Sequence, residues 1–294
     1  MYPSVSVVCA SIGRASLASL IPSLKASPCV AEIIVVLPPH VLPSTDLLDL
    51  SKSSSHVYIV NSFSKGQVNQ RVFGVRFASN PYIMFIDDDI FIDSNVVDLL
   101  LARLLDLPLA SVVAPVINQY LCTPSVVIRS KGYLSRFVDI LERLLSPFSD
   151  SYPYYLSYFS RPTLFTSKPQ RMTPSSWLPG GCLMMSSLVA PKESYYSFSG
   201  KAFAEDIYLS SFLLDSGASL YLAQDLNCFT QFDHSAGDFK LQLFVRLAIH
   251  RLSRSRTLLQ VLHFLFLLPL FFMISFSLVV FVKLVRHRCL NNFV

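Results

Sequence analysis

The chain has 294 residues, 52% of them hydrophobic and only 15% charged, which excludes a disordered chain and allows one large domain or two small ones. Its mean hydropathy of +0.49 is high for a purely soluble protein and predicts a membrane contribution. The net charge of +5 is unevenly placed: residues 239–294 hold eight Lys or Arg and no acid, leaving 16 basic against 19 acidic groups in residues 1–238, which argues against a nucleic-acid partner and for lipid headgroups around an apolar segment.

From the N-terminus, "SVSVVCAS" (4–11) is a β-branched, apolar run and predicts a buried strand. Nothing before it has the basic start and long apolar core of a signal peptide, so a cytoplasmic main domain is expected. Ser11–Gly13 make a turn, and "RASLASLIPSLKAS" predicts a helix with Leu17, Leu20, Ile21 and Leu24 on one face. "VAEIIVVLPP" (30–39) is a second strand stopped by two prolines, and "HVYIVNS" (56–62) a third. "GQVNQRVFGVRFAS" predicts a helix, and "PYIMFIDDD" a fourth strand that runs into Asp87, Asp88 and Asp89. Strands that are apolar throughout and alternate with helices predict an α/β, Rossmann-like fold: a mostly parallel central sheet with helices on both faces. Ligands of such sheets bind beyond the carboxyl ends of the strands, where Ser11–Arg14 and the aspartates would lie.

Residues 96–105 predict a further helix and "ASVVAPVI" (110–117) a strand; 118–176 is irregular, with an amphipathic helix candidate at 133–145, and reads as an insertion. "FKLQLFVRLAIHRL" opens a basic amphipathic segment (239–256) of the kind that lies in a membrane interface. Residues 257–283 follow as a candidate transmembrane helix, uncharged up to Lys283 and flanked by basic residues, and 284–294 form a short basic tail. The domain expectation is therefore 1–238, 239–256, 257–283 and 284–294. The six cysteines (Cys9, Cys29, Cys122, Cys182, Cys228 and Cys289) are scattered without a C-x-x-C pair and predict reduced, mostly buried thiols.

Several groups can carry chemistry. Asp87 and Asp89, two apart on an extended chain, share one orientation and offer oxygen ligands to Mg²⁺ or Mn²⁺, with Asp88 pointing away; a solvated turn or a helix cap uses the same residues. Glu205 and Asp206 open an amphipathic helix, where the dipole favours acids; a carboxylate there can also accept a proton from a hydroxyl nucleophile. Gly180 and Gly181 in "WLPGGCLMM" allow backbone to approach a ligand or simply turn the chain, and Trp177 is the only Trp, a candidate sugar platform. Arg71, near the start of its helix, can reach a phosphate or sit on the surface. His234, in "FDHSAGD" behind a further candidate strand, is a structural histidine or a third metal ligand.

The order of these features, a βα start, K-G-x4-R-x2-G, an apolar strand ending in D-D-D, a G-G turn and an E-D pair opening a helix, resembles the inverting family-two glycosyltransferases of the GT-A fold, over about residues 3–235. The resemblance implies Asp87 and Asp89 as the metal- and nucleotide-binding D-x-D; His234 stands beside them as a separate metal candidate. The resemblance also implies Asp206 as general base and Arg71, Asp87 and Asp88 on the donor side, where Ser11 and Arg14, at the strand edge, and Gln67, at the start of its helix, are further candidates. Trp177, Gly180, Gly181 and Glu205 fall on the acceptor side, and Asp88 is the most replaceable of the triplet. The expected activity is transfer of a hexose or deoxyhexose from a nucleotide-diphosphate sugar to a hydroxyl of a lipid-linked saccharide or other glycan, with Mg²⁺ or Mn²⁺, beside membrane lipids. Three departures stand out: Leu37 and Pro38 replace the nucleobase-contacting aspartate that commonly ends the second strand, Val72 replaces an asparagine, and the Q-x-x-R-W motif of processive synthases is missing. The rival readings are a nucleotidyltransferase, which "ASIGRAS" fits poorly, and a membrane-anchored sugar-nucleotide binding or assembly protein without catalysis.

Overall fold

A computed structural model describes residues 3–119, 154–156, 162–164, 171–196 and 205–230. All of them fall in one compact unit, Met1–Ile249; a second unit, His250–Val294, lies outside the described residues. So do the candidate helix at 133–145, His234, Cys122, Cys289, the basic segment 239–256, the candidate span 257–283 and the tail 284–294. Among the described residues no helix is long and apolar enough to cross a membrane.

The sheet is built around β1 (Val5–Ala10), every residue of which is buried. It pairs in parallel with β2 (Val30–Leu37) and β4 (Tyr82–Asp87), and β2 pairs in parallel with β3 (Val57–Asn61). The far half of the sheet is mixed in direction. β10 (Cys182–Ser186) lies antiparallel between β4 and β6 (Ser111–Gln119), and β11 (Ser219–Thr230) returns parallel to β6. Short strands β5 (Ile90–Phe91) and β9 (Thr173–Pro174) pair antiparallel with β11, and β7 (Tyr154–Leu156) with β8 (Pro162–Leu164) form a separate hairpin.

Period-two alternation sends successive side chains of each central strand to opposite faces, and each face carries its own core. On one, Val7, Cys9, Val35 and Ile86 pack with Leu20, Ile21 and Leu24 of α1 (Leu17–Lys25) and with Val97, Leu100 and Leu104 of α4 (Ser94–Leu105). Leu47 of α2 (Thr45–Lys52) joins them. On the other, Val8, Ile34, Val36 and Phe85 meet Val75 of α3 (Gln67–Val75) and Leu209 and Leu213 of α5 (Glu205–Asp215). Burying these apolar faces supplies the main drive for the layered arrangement.

Two details fix the working edge. Gly74 lets α3 press onto the sheet: a Cβ there would fall 2.4 Å from Val8 Cγ1 and 2.9 Å from Val36 Cγ2. And because β10 runs antiparallel, its beginning, not its end, adjoins the end of β4; the Asp87 amide donates to the Gly181 carbonyl at 2.8 Å. The glycine pair is thereby carried to the carboxyl edge of the parallel strands.

Candidate active site

The aspartate triplet divides differently from what an extended chain implies. β4 ends at Asp87 and a turn begins with Asp88, so the two-residue alternation that would align Asp87 with Asp89 stops one residue too early. Asp87 continues the alternation onto the α3 face. Its Oδ1 accepts from Gln67 Nε2 and from Arg71 Nη2, both at 2.6 Å. Asp88 turns toward the end of β1. It is 6% exposed and accepts from Ser11 Oγ at 2.6 Å and from Arg14 Nη1 at 3.1 Å. Asp89 shares that same Arg14 nitrogen at 3.2 Å. Asp88 is thus the structural member of the triplet, which corrects the expectation that it is the most replaceable.

Arg71 is also corrected. Its side chain is 0% exposed and tied to protein acceptors: Nη1 donates to Glu205 Oε1 at 2.7 Å, and Nη2 to Asp87 and, at 2.8 Å, to the Gly180 carbonyl. The guanidinium carbon also sits 5.7 Å from the centre of the Phe85 ring. Burial opposes its charge, but Asp87 and Glu205 outweigh burial and hold it firmly protonated. Arg71 is therefore an internal tie between α3, β4, the Gly-Gly loop and α5, not a free phosphate ligand. Ser11 is likewise spent within the protein, its hydroxyl serving Asp88 and accepting from the Gly13 amide.

The acceptor-side expectations divide. Gly180 and Gly181 lie at the centre: a Cβ on Gly180 would come within 2.7 Å of Glu205 Oε1, and one on Gly181 within 3.3 Å of Asp87 Oδ2. A side chain at position 180 would have to displace the Glu205 carboxylate, and one at 181 would crowd Asp87. Trp177 is buried in the α3/α5 core, so its ring is a packing element and not an open platform. The loop is stapled to α5 as well, the Leu178 amide donating to Ser210 Oγ at 2.9 Å. Glu205 is buried against Arg71 rather than turned to an acceptor, and accepts a second hydrogen bond from the Tyr195 hydroxyl at 3.1 Å. Tyr195 escaped the sequence reading: "SYYS" has no motif spacing, and only the return of the chain to α5 gives it a partner.

Asp206 follows Glu205 in the first turn of α5, with its Cβ beside Gly180. Burial, and then the neighbouring Glu205 charge, raise its carboxyl to about 7, although the Ile207 amide donates to it. A half-buried carboxylate poised near neutrality is what general-base chemistry requires.

The donor set also suits a hard divalent cation. No described residue donates to Asp87 Oδ2 or Asp89 Oδ1, and the Arg14 guanidinium already stands at Asp89 as a surrogate positive charge. Burial, then repulsion from Asp87 and Asp88, push the Asp89 carboxyl upward, while Arg14 draws it down. Among the described residues no cluster of three or more His, Cys, Asp or Glu could hold a metal. Two carboxylates completed by phosphate oxygens and water is the usual Mg²⁺ or Mn²⁺ arrangement.

The comparisons with known proteins bear on the fold that carries these residues. Residues 46–167 match the family described as Glycosyl transferase family 2. No curated protein matches the chain. Among solved structures, one titled "Crystal structure of GalNAc-T7 with UDP, GalNAc and Mn2+" superposes with a TM-score of 0.59 at 12% sequence identity, covering 83% of this chain and 48% of that one. This chain therefore spans about half the length of that relative. The likeness establishes a mixed α/β, GT-A-like fold, and the family match overlaps α3, β4 and the aspartate triplet.

Proposed function

We propose that this chain is a glycosyltransferase that moves a sugar from a nucleotide-diphosphate sugar to a hydroxyl of a saccharide acceptor, with inversion at the anomeric carbon. The observation that carries the reading is the meeting, at one sheet edge, of two unlike carboxylate systems. Asp87 and Asp89 each keep an oxygen to which no described residue donates, while Asp206, across the Gly180–Gly181 loop, is half-buried with its carboxyl raised to about 7. One pair suits cation and diphosphate; the other group suits proton removal.

Asp87 and Asp89 would hold a divalent cation, which when bound would supply positive charge against the negative charge developing on the departing diphosphate. Asp206 takes the proton of the acceptor hydroxyl as its oxygen bonds to the anomeric carbon. The bond from that carbon to the diphosphate breaks on the opposite side, and the sugar passes through an oxocarbenium-like state. Arg71 does not touch the substrates; it holds Asp87, Glu205 and the glycine loop in register. The basic segment 239–256 and the apolar stretch 257–283 suit a lipid-linked acceptor at a bilayer. GalNAc-T7 supplies UDP and Mn²⁺ as first candidates for the donor nucleotide and the metal.

The test incubates the full chain in membranes with labelled UDP-, GDP- and dTDP-sugars, lipid-linked acceptors and Mn²⁺ or Mg²⁺. The product's anomeric configuration is then read by NMR. Transfer with inverted configuration, lost on chelation, is the expected result. Nucleotide binding without transfer from any donor would instead indicate a binding protein, and a retained configuration would remove Asp206 from its role.

A further inference from the structure

We propose that Arg14 is the resident counter-ion of the acidic triplet: a divalent cation displaces it from Asp89, and it then engages the diphosphate. The inference rests on the reading above, in which Asp87 and Asp89 share a cation with the donor.

Three aspartates in succession need compensating charge, and the structure supplies it from two sides. Arg71 serves Asp87 from the interior and cannot leave, since its side chain is wholly buried. Arg14 serves the other two through a single nitrogen, and no described residue accepts from its Nη2 or Nε. Its side chain is 47% exposed, so it can swing outward without losing a buried position.

Its two contacts differ in kind. Asp88 is buried and also held by Ser11, so it stays in place whatever Arg14 does. Asp89 is 32% exposed, and an ion pair in that setting contributes little. A compact divalent ion binding the same carboxylate directly carries twice the charge, and two cations on one carboxylate repel. The released guanidinium is then a forked donor at the strand edge where the anionic diphosphate arrives.

This scheme predicts opposite signs in two measurements on one variant. In the full chain, Arg14→Gln should bind Mn²⁺ alone roughly three- to tenfold more tightly, read from the electron paramagnetic resonance of free Mn²⁺. With Mn²⁺ saturating, the same variant should bind UDP, GDP or dTDP, whichever the wild type takes, roughly three- to tenfold more weakly by calorimetry. Arg14→Lys, which keeps the charge, should restore much of the Mn²⁺ behaviour. Lys65→Gln, which removes a charge ahead of α3 without touching a carboxylate, should leave Mn²⁺ affinity unchanged. Equal tightening in Lys65→Gln, or unchanged Mn²⁺ affinity in Arg14→Gln, would overturn the counter-ion role. Tighter Mn²⁺ binding with undiminished diphosphate affinity would overturn the handover. A wild type that takes up neither Mn²⁺ nor any diphosphate overturns the reading of the site itself, and this inference with it.

Discussion

At the scale of single residues, Asp206 and Asp88 make opposite predictions about function and stability. Asp206 must be ionised to accept a proton, so kcat/KM should rise about tenfold per pH unit below about 7 and level off above it. Asp206→Asn should cost transfer roughly 10²- to 10⁴-fold while leaving nucleotide affinity intact. Its folded-state value lies above the ordinary aspartate value of about 3.9. The contribution of this group to stability is therefore complete below that value and lost as pH rises through about 7. Asp206→Asn should accordingly raise Tm, and by more at pH 8 than at pH 5; a Tm gain that does not grow with pH would contradict the buried, raised carboxyl. Asp88 behaves in the reverse sense. Asp88→Ala leaves the buried Ser11 hydroxyl without its acceptor and takes from Arg14 one of its two carboxylates, and should lower stability by about 1–3 kcal/mol in urea titration, whereas Asp89→Ala should change it by less than about 1 kcal/mol. Comparable losses for both would restore the simple alternation along the strand.

At the scale of elements, what could be read from the sequence was set by how far each signal reaches along the chain. α1 and α4 carry apolar stripes at helical spacing, and β1, β2 and β4 are continuous apolar runs, so local pattern suffices for them. α2 leaves only Leu47 buried, too little for a stripe, and the two-residue β5 exists only because β11 returns beside it. The direction of β10 was illegible because "CLMMS" is buried throughout and reads alike either way. The site depends on the same long-range partners: Arg71 meets Glu205 across 134 positions, and Gly180 is required because both lie against it. Gly74 expresses this coupling most plainly. Gly74→Ala should gain helix propensity, by at most about 1 kcal/mol, yet push α3 off Val8 and Val36 at a cost of about 1–3 kcal/mol. Since Arg71 lies one turn earlier on α3, the shift should also lower kcat. Adding Val8→Ala to make room should recover part of both losses; a Gly74→Ala chain as stable and active as wild type would show that the helix is not seated as described.

At the scale of the whole molecule, charge and hydropathy are divided along the chain rather than blended. Residues 1–238 carry 19 acidic and 16 basic groups, while 239–294 carry eight basic groups and no acid. An acidic domain gains nothing from a negatively charged lipid surface, so any attraction must come from the C-terminal part, where each basic residue near such a surface contributes about 1 kcal/mol. The uncharged stretch from Thr257 to Val282 is long enough to add an apolar term that salt does not screen. The two contributions can be separated in the full chain. Replacing Arg251, Arg254 and Arg256 by Gln should weaken binding to anionic vesicles in low salt but leave the protein resistant to carbonate extraction. Replacing Leu267 and Phe271 by Arg places charges mid-stretch at about 2.5–3.5 kcal/mol each and should release the chain on extraction. If the unaltered chain is extracted by carbonate and stays in the supernatant at low salt, the bilayer has no part in presenting the acceptor, and the transfer proposed here acts on a soluble glycan.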